Sequence, residues 1–361
     1  MKNNKRRVLQ IMSIVLGVIL AILVVFTGYT EYLLNQMKYV DSNLKLPFKT
    51  QEEIDAILNA TDPTSDPEDQ VEEYTGPTSN PDDIILGTAG MEIGEEESIV
   101  NILLIGADYQ DTDQPRSDTA MLVTFNKEKG SLTMTSFMRD TYVTIPGYSK
   151  NRLNTSYSLG GMALLKETLH VNFGVHVDGI VEVDFTQFEK IIDLLGGIDL
   201  ELTSQEASWI NKKAGSSLKE GVQHLTGKEA MWYSRNRTSN GGGDYNRTNR
   251  QRIVLNTLIE TYKSANMMTI LNLVDNILPM ITTDMTKNEI VNYVVDLFPL
   301  LMEAEIVSQR IPIGDGSSSE TGHYMTKIKE MSVLVPNIEM NVQFLSDTLG
   351  SSIDPDAVEA D

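Results

Sequence analysis

Aspartate and arginine recur at short intervals in one stretch of this chain, as Asp108, Arg116, Asp118, Arg139 and Asp140. Carboxylates hold hard cations and guanidinium forks grip phosphate oxygens two at a time, so the set suits a metal-bridged phosphate if the fold gathers it. It would equally suit an ion-pair network among its own members. The runs Asp118 to Phe125 and Leu132 to Met138 are rich in Thr, Val, Phe, Leu and Met, and Asn126-Lys-Glu-Lys-Gly130 between them is short and ends in glycine. That pattern predicts a β-hairpin. A turn centred near Glu128 would set Asp118 opposite Met138 and Arg116 opposite Asp140, on strands about 5 Å apart. The run from Ile99 to Ala107 reads as a further strand that delivers Asp108, and an antiparallel meander would place all five charges on one edge.

The two arrangements differ in what Asp118→Asn does without metal. Two aspartates held together repel, so the change would leave stability unchanged or raise it; aspartates paired with Arg116 and Arg139 would make it destabilising.

A second concentration lies downstream. Beyond Arg6 and Arg7 the chain has nine arginines, and Arg235, Arg237, Arg247, Arg250 and Arg252 fall within eighteen residues. In a helix beginning near Asp244, which is suited to cap it, Arg247, Gln251, Leu255 and Leu258 share one face. An unpaired buried guanidinium is costly, so either an anionic ligand or an internal aspartate is expected beside Arg247. Arg250 and Arg252 point off that face and are expected at the surface.

The elements that must position these residues alternate in type. Met162 to Phe173 has helical spacing and stops at Gly174, and Val177 to Val183 reads as a strand. Asp184 is suited to cap a helix through Leu195 ended by Gly196-Gly197, Ile198 to Leu202 is another strand, and Thr226-Gly-Lys-Glu229 forms a capping box for a helix ending near Arg235. Further on, 267–281 and 287–303 read as helices, 306–313 as a strand, and 330–349 as a last strand and helix before an acidic tail. The expected fold is α/β, with a mixed central β-sheet covered by helices on both faces.

At the start, Lys2, Lys5, Arg6 and Arg7 precede an apolar run over residues 8–27. Twenty residues at 1.5 Å rise span about 30 Å, so this reads as a transmembrane helix with residues 1–7 cytoplasmic and the remainder outside. Residues 28–98 are expected to be an acidic, mostly disordered stalk, with a turn or two of helix allowed at 51–58. The catalytic domain is expected over 99–262, with 263–361 as a helical and strand extension of it.

Composition narrows the chemistry. There is no cysteine, hence no disulfide, thiol nucleophile or thiolate site, and the four histidines lack paired metal-ligand spacing. No phosphate-binding glycine loop occurs, and a formal net charge of −22 argues against nucleic acid as a partner.

Asn101-Ile-Leu-Leu-Ile-Gly-Ala-Asp108, Arg116-Ser-Asp-Thr119, Arg139-Asp140 with Ile145-Pro-Gly147, Val183-Asp-Phe185, Ile191-Ile-Asp-Leu-Leu-Gly-Gly197, Leu225-Thr-Gly-Lys-Glu-Ala230, Tyr233-Ser-Arg-Asn-Arg237 and Arg247 before Arg250-Gln251 resemble, in order, the LytR-CpsA-Psr family. The resemblance implies a membrane-anchored phosphotransferase moving a glycopolymer from a polyprenyl-pyrophosphate carrier to a peptidoglycan acceptor. It implies that Asp108 and Asp118 hold Mg²⁺ or Mn²⁺, that Arg116, Arg139, Arg235, Arg237 and Arg247 grip the pyrophosphate with Gln251 beside them, and that Asp108, Asp118, Arg116 and Arg139 serve catalysis. Tyr109-Gln110, Met138 and Asn151-Arg152 depart from the family pattern. A hydrolase acting on the same lipid, or a non-enzymatic wall-binding or regulatory protein, are the rival functions.

Overall fold

The computed structural model describes residues 38–41, 49–59, 76–109, 116–239, 243–263, 276–328 and 331–349, with isolated residues from 265 to 273. The strands are β1 (Lys38–Tyr39), β2 (Ile99–Asp108), β3 (Arg116–Asn126), β4 (Ser131–Phe137), β5 (Tyr142–Val143), β6 (Asn151–Arg152), β7 (Gly179–Asp184), β8 (Ile198–Leu202), β9 (Gly221–Leu225), β10 (Thr282–Thr283), β11 (Glu305–Ile311), β12 (Ser317–Ser318), β13 (His323–Ile328) and β14 (Met331–Pro336). The α-helices are α1 (Gln51–Asn59), α2 (Leu153–Phe173), α3 (Phe185–Leu194), α4 (Ser204–Ala214), α5 (Gly227–Arg235), α6 (Gly243–Tyr262), α7 (Lys287–Glu303) and α8 (Ile338–Leu349).

The central sheet has the order β1-β10-β7-β2-β3-β4-β11 and is mixed: β2, β3 and β4 form an antiparallel meander, while β7 lies parallel to β2 and β11 parallel to β4. Alternation along β2 sends Leu103 and Ile105 to one face and Ile102 and Leu104 to the other. The first face packs on Leu165 and Leu169 of α2 and Val342 and Leu345 of α8. The second packs on Leu255 and Ile259 of α6 and on Leu297 and Leu301 of α7. Helices therefore cover both faces of a mixed sheet, as the alternation of elements predicts. Where α2 ends, Gly174 adopts φ 68° and returns its N–H to the His170 carbonyl; a Cβ there would strike the Met91 carbonyl.

A smaller unit carries the rest of the site. The hairpin β8–β9 packs with α3, α4 and α5 around Ile192, Leu200, Ile210, Leu225 and Tyr233, and Val254 of α6 joins that core. Capping boxes open α3 at Asp184, α4 at Thr203 and α5 at Thr226.

Parts of the expected stalk are packed against the domain. Ile57 of α1 is buried with α2, and Ile84 and Ile93 are buried too, Ile93 bridging to Val175. An acidic average over 28–98 hides these short apolar groups. The expected transmembrane segment 8–27, six of the fifteen residues of the expected helix 267–281 and the acidic tail lie outside the described residues. Among the described residues no helix is long and apolar enough to cross a membrane.

Candidate functional site

The charged edge forms where β2 and β3 diverge. Gly106 pairs with Thr119 and Ala107 with Ser117, so β3 carries one extra residue, Asp118, in a bulge that takes it out of the ladder. Asp108 then pairs with Arg116 across the two strands. The β3–β4 register differs by one from a turn centred at Glu128: Asn126 faces Ser131 and Ala120 faces Phe137, around a loop in which Gly130 adopts φ 60°. That register, continued, brings Arg139 rather than Met138 beside Asp118, and Arg139 Nη1 donates to Asp118 Oδ1 at 2.6 Å. Arg116 accordingly faces Asp108 and not Asp140. Asp140 lies 3.7 Å from Arg139 Nε and 3.4 Å from Arg152 Nη1.

The first turn of α6 completes the cluster. Arg247 Nη1 is 3.6 Å from Asp118 Oδ1, and Arg247 Nη2 is 2.8 Å from Asp244 Oδ1. The same Asp244 oxygen is 3.7 Å from Arg139 Nε and 3.8 Å from Arg237 Nε. Asp244 lies inside the helix rather than at its cap, and its carboxylate is the counter-ion to three arginines. Burial alone would raise the Asp118 carboxyl, but Arg139, then Arg247 and Arg237, hold it well below the usual carboxylate range. Arg237 is pushed down to about 10 by burial and by its neighbours Arg139 and Arg247, against the pull of Asp244 and Asp118.

Asp118, Arg139, Arg237 and Arg247 of this cluster line a cavity of about 360 Å³. Asp108, Arg116, Asp118, Arg139, Arg235, Arg237, Arg247 and Gln251 all line it, so the structure brings together the eight residues the resemblance assigns to the site, while Asp140 stands outside the wall. Behind them the wall is apolar, with Met121 and Val183 from the sheet, Phe188 and Ile191 from α3, Leu255 and Leu258 from α6, and Ile277 and Ile281. The face of α6 inferred from spacing runs along this wall from Arg247 to Leu258. Five arginines against three aspartates on the wall leave two positive charges in excess, and Asp244 behind it offsets one. Gln251 Oε1 and Arg247 Nε are buried without a hydrogen-bond partner; an oxygen-rich ligand in the cavity would accept from Arg247 Nε, and a hydroxyl or water beside it would donate to Gln251 Oε1.

Two arginines are placed otherwise than expected. Arg250 and Arg252 are buried at 4% and 7% exposure. Arg250 Nε donates to Glu206 Oε1 at 2.8 Å and its other nitrogens donate to the Asn236 and Ser239 carbonyls, while Arg252 Nη1 donates to Ser136 Oγ. α6 is wedged between the sheet and the small unit, so even the flank away from the cavity is enclosed. A cluster the sequence did not flag lies beside Asp108, where Tyr109 and Tyr157 hydroxyls donate to the two oxygens of buried Glu182 at 2.6 and 2.7 Å. Burial and Glu182 push the Tyr109 hydroxyl up to about 12.

Among the described residues no group of three or more His, Cys, Asp or Glu side chains comes together to hold a metal. Asp108 and Asp118, the pair expected to hold a cation, both line the cavity, as does Asp184; an ion such as Mg²⁺ needs only one or two protein carboxylates, with water and phosphate oxygens completing its shell.

Residues 54–339 match the model of the LytR_cpsA_psr family. The regulatory protein MsrR of Staphylococcus aureus (strain COL) is 40% identical over 161 residues, 44% of this chain and 48% of the relative. The polyisoprenyl-teichoic acid--peptidoglycan teichoic acid transferase TagU of Bacillus licheniformis is 35% identical over 171 residues, 47% of this chain and 54% of the relative. The chain spans about half the length of the curated relatives it matches. The crystal structure of B. subtilis TagT superposes with a TM-score of 0.57 at 25% identity, covering 74% of this chain and 100% of TagT. The structure of YwtF (TagT) with bound octaprenyl pyrophosphate lipid gives 0.54 at 24% identity, over 78% of this chain and 100% of that one, and shows likeness of fold.

Proposed function

Because the chain belongs to the LytR_cpsA_psr family, we propose that it is a membrane-anchored phosphotransferase that moves a glycopolymer from a polyprenyl-pyrophosphate carrier to a sugar hydroxyl of peptidoglycan. The observation that carries this reading is the division of one cavity into an arginine-lined end and an apolar end. A pyrophosphate needs the first and a hydrocarbon tail needs the second, and few other ligands need both. The names of the TagU relatives and the lipid held by the TagT neighbour agree with such a donor.

In the proposed reaction the acceptor hydroxyl attacks the phosphorus nearer the polymer. A new P–O bond forms to the acceptor, the P–O–P linkage breaks, and polyprenyl phosphate leaves. Arg116, Arg139, Arg235, Arg237 and Arg247 neutralise and orient the phosphates, and an aspartate of the wall takes the hydroxyl proton. Asp108 and Asp118 would hold Mg²⁺ or Mn²⁺, which supplies further charge neutralisation when bound. Arg139 and Arg247 both contact Oδ1 of Asp118, which would leave its second oxygen for such an ion.

The test is turnover of a polyprenyl-pyrophosphate-linked wall polymer by the full chain in detergent, with peptidoglycan present. The reading expects polymer bonded to peptidoglycan with Mg²⁺ and none with EDTA. Release of free polymer instead would make the protein a hydrolase, and no turnover would leave a non-enzymatic wall protein.

A further inference from the structure

Phe185, Arg235, Trp232, Lys213 and Trp209 form a row in which aromatic and cationic side chains alternate. The Arg235 guanidinium lies 4.4 Å from the centre of the Phe185 ring and 5.2 Å from that of Trp232. Lys213 Nζ lies 5.5 Å from the centre of Trp232 and 4.8 Å from that of Trp209. Contacts of this kind are spread roughly once per 70–80 residues in proteins, whereas here four fall on five side chains.

The row starts at the site, since Phe185 and Arg235 belong to the cavity wall. It leaves along α5, where Trp232 precedes Arg235 by three residues, and crosses to α4, where Trp209 and Lys213 are one turn apart. All five side chains are partly exposed. Among the described residues Arg235 has no carboxylate at ion-pair distance. In a chain of net charge −22, the Arg235 guanidinium sits between two rings and remains able to attract an anion.

We propose that this row is the track along which an anionic glycopolymer, its sugars bearing phosphate or carboxylate groups, leaves the pyrophosphate site. Aromatic faces pack against the C–H faces of sugar rings, and the interleaved cations meet the recurring negative charges. The link from track to head group rests on the function proposed above; the binding surface itself does not.

Trp209 and Trp232 are the two tryptophans of the entire chain, so indole fluorescence reports on the track alone. Titrating the full chain in detergent with a lipid-free teichoic-acid oligomer should change that fluorescence saturably, with a Kd that weakens as salt rises. Lys213→Glu should raise the Kd tenfold or more and leave the Kd of a short-chain polyprenyl pyrophosphate within twofold. A neutral N-acetylglucosamine oligomer should have no comparable effect. No fluorescence change, an equal response to the neutral oligomer, or an unchanged Kd in Lys213→Glu would each overturn the proposal. Turnover without oligomer binding would remove the track and keep the transferase, whereas oligomer binding without turnover would do the reverse.

Discussion

Asp118 is the residue on which the site's electrostatics turn. It is half-enclosed, its carboxylate meets Arg139 and Arg247, and removing its charge leaves the guanidinium groups of Arg139, Arg237 and Arg247 with Asp244 as their shared counter-ion. Asp118→Asn should therefore lower the stability of the metal-free protein by about 3 kcal/mol, the usual size for breaking a buried pair from one side. This sides with the ion-pair outcome of the two that the sequence allows, and thermal unfolding in EDTA measures it. The sign with pH follows from the depressed carboxyl. Its contribution is complete above the ordinary value of 3.8 and fades as pH falls through the lower folded value, so wild type and variant should converge in acid. Turnover should be lost in the variant although inorganic pyrophosphate still binds. The residue types of this cluster were legible in the sequence, because so few residues combine with phosphate and metal. Its pairing was not: whether Asp118 meets Met138 or Arg139 depends on a one-residue shift in a hairpin loop, and the bulge that frees Asp118 from the ladder leaves no mark in composition.

At the scale of elements, α6 is a ruler laid along the cavity, with Arg247 and Gln251 at its charged end and Leu255 and Leu258 along its apolar wall. Leu255→Trp should fill the apolar end, weakening a long-chain polyprenyl pyrophosphate tenfold or more while inorganic pyrophosphate binds as before; calorimetry on both ligands decides it. Equal loss for both would mean that the helix had moved. The face could be read from i, i+4, i+8 and i+11 spacing because one side of a helix against a cavity obeys that period. The opposite flank could not, since Arg250 is buried by Glu206 of α4 and Arg252 by Ser136 of β4, elements distant in sequence. Capping boxes at Asp184, Thr203 and Thr226 show the opposite case: they are local chemistry, and the two singled out in the sequence are present.

On the scale of the whole molecule, the strands and helices of the main sheet were largely readable from period and punctuation, but α4 and the strands β5, β6, β9, β12 and β13 were not anticipated, and the docking of Ile57, Ile84 and Ile93 onto the domain was masked by the acidic residues around them. The basic N-terminus followed by an apolar run places residues beyond 30 outside the cell in the proposed topology, and the substrate requires it. Protease added to wall-stripped intact cells should remove that region, and its protection would contradict the orientation. The central claim is that one cavity holds both a pyrophosphate and its hydrocarbon tail. Each buried methylene contributes about 0.8 kcal/mol, so four of them amount to roughly a two-hundredfold gain. The most direct measurement is the ratio of Kd values for inorganic pyrophosphate and a long-chain polyprenyl pyrophosphate, taken on the same protein in the same Mg²⁺ buffer. The account predicts that the lipid binds at least a hundredfold more tightly and competes with pyrophosphate for the site; equal affinities, or simultaneous binding of both, would contradict it.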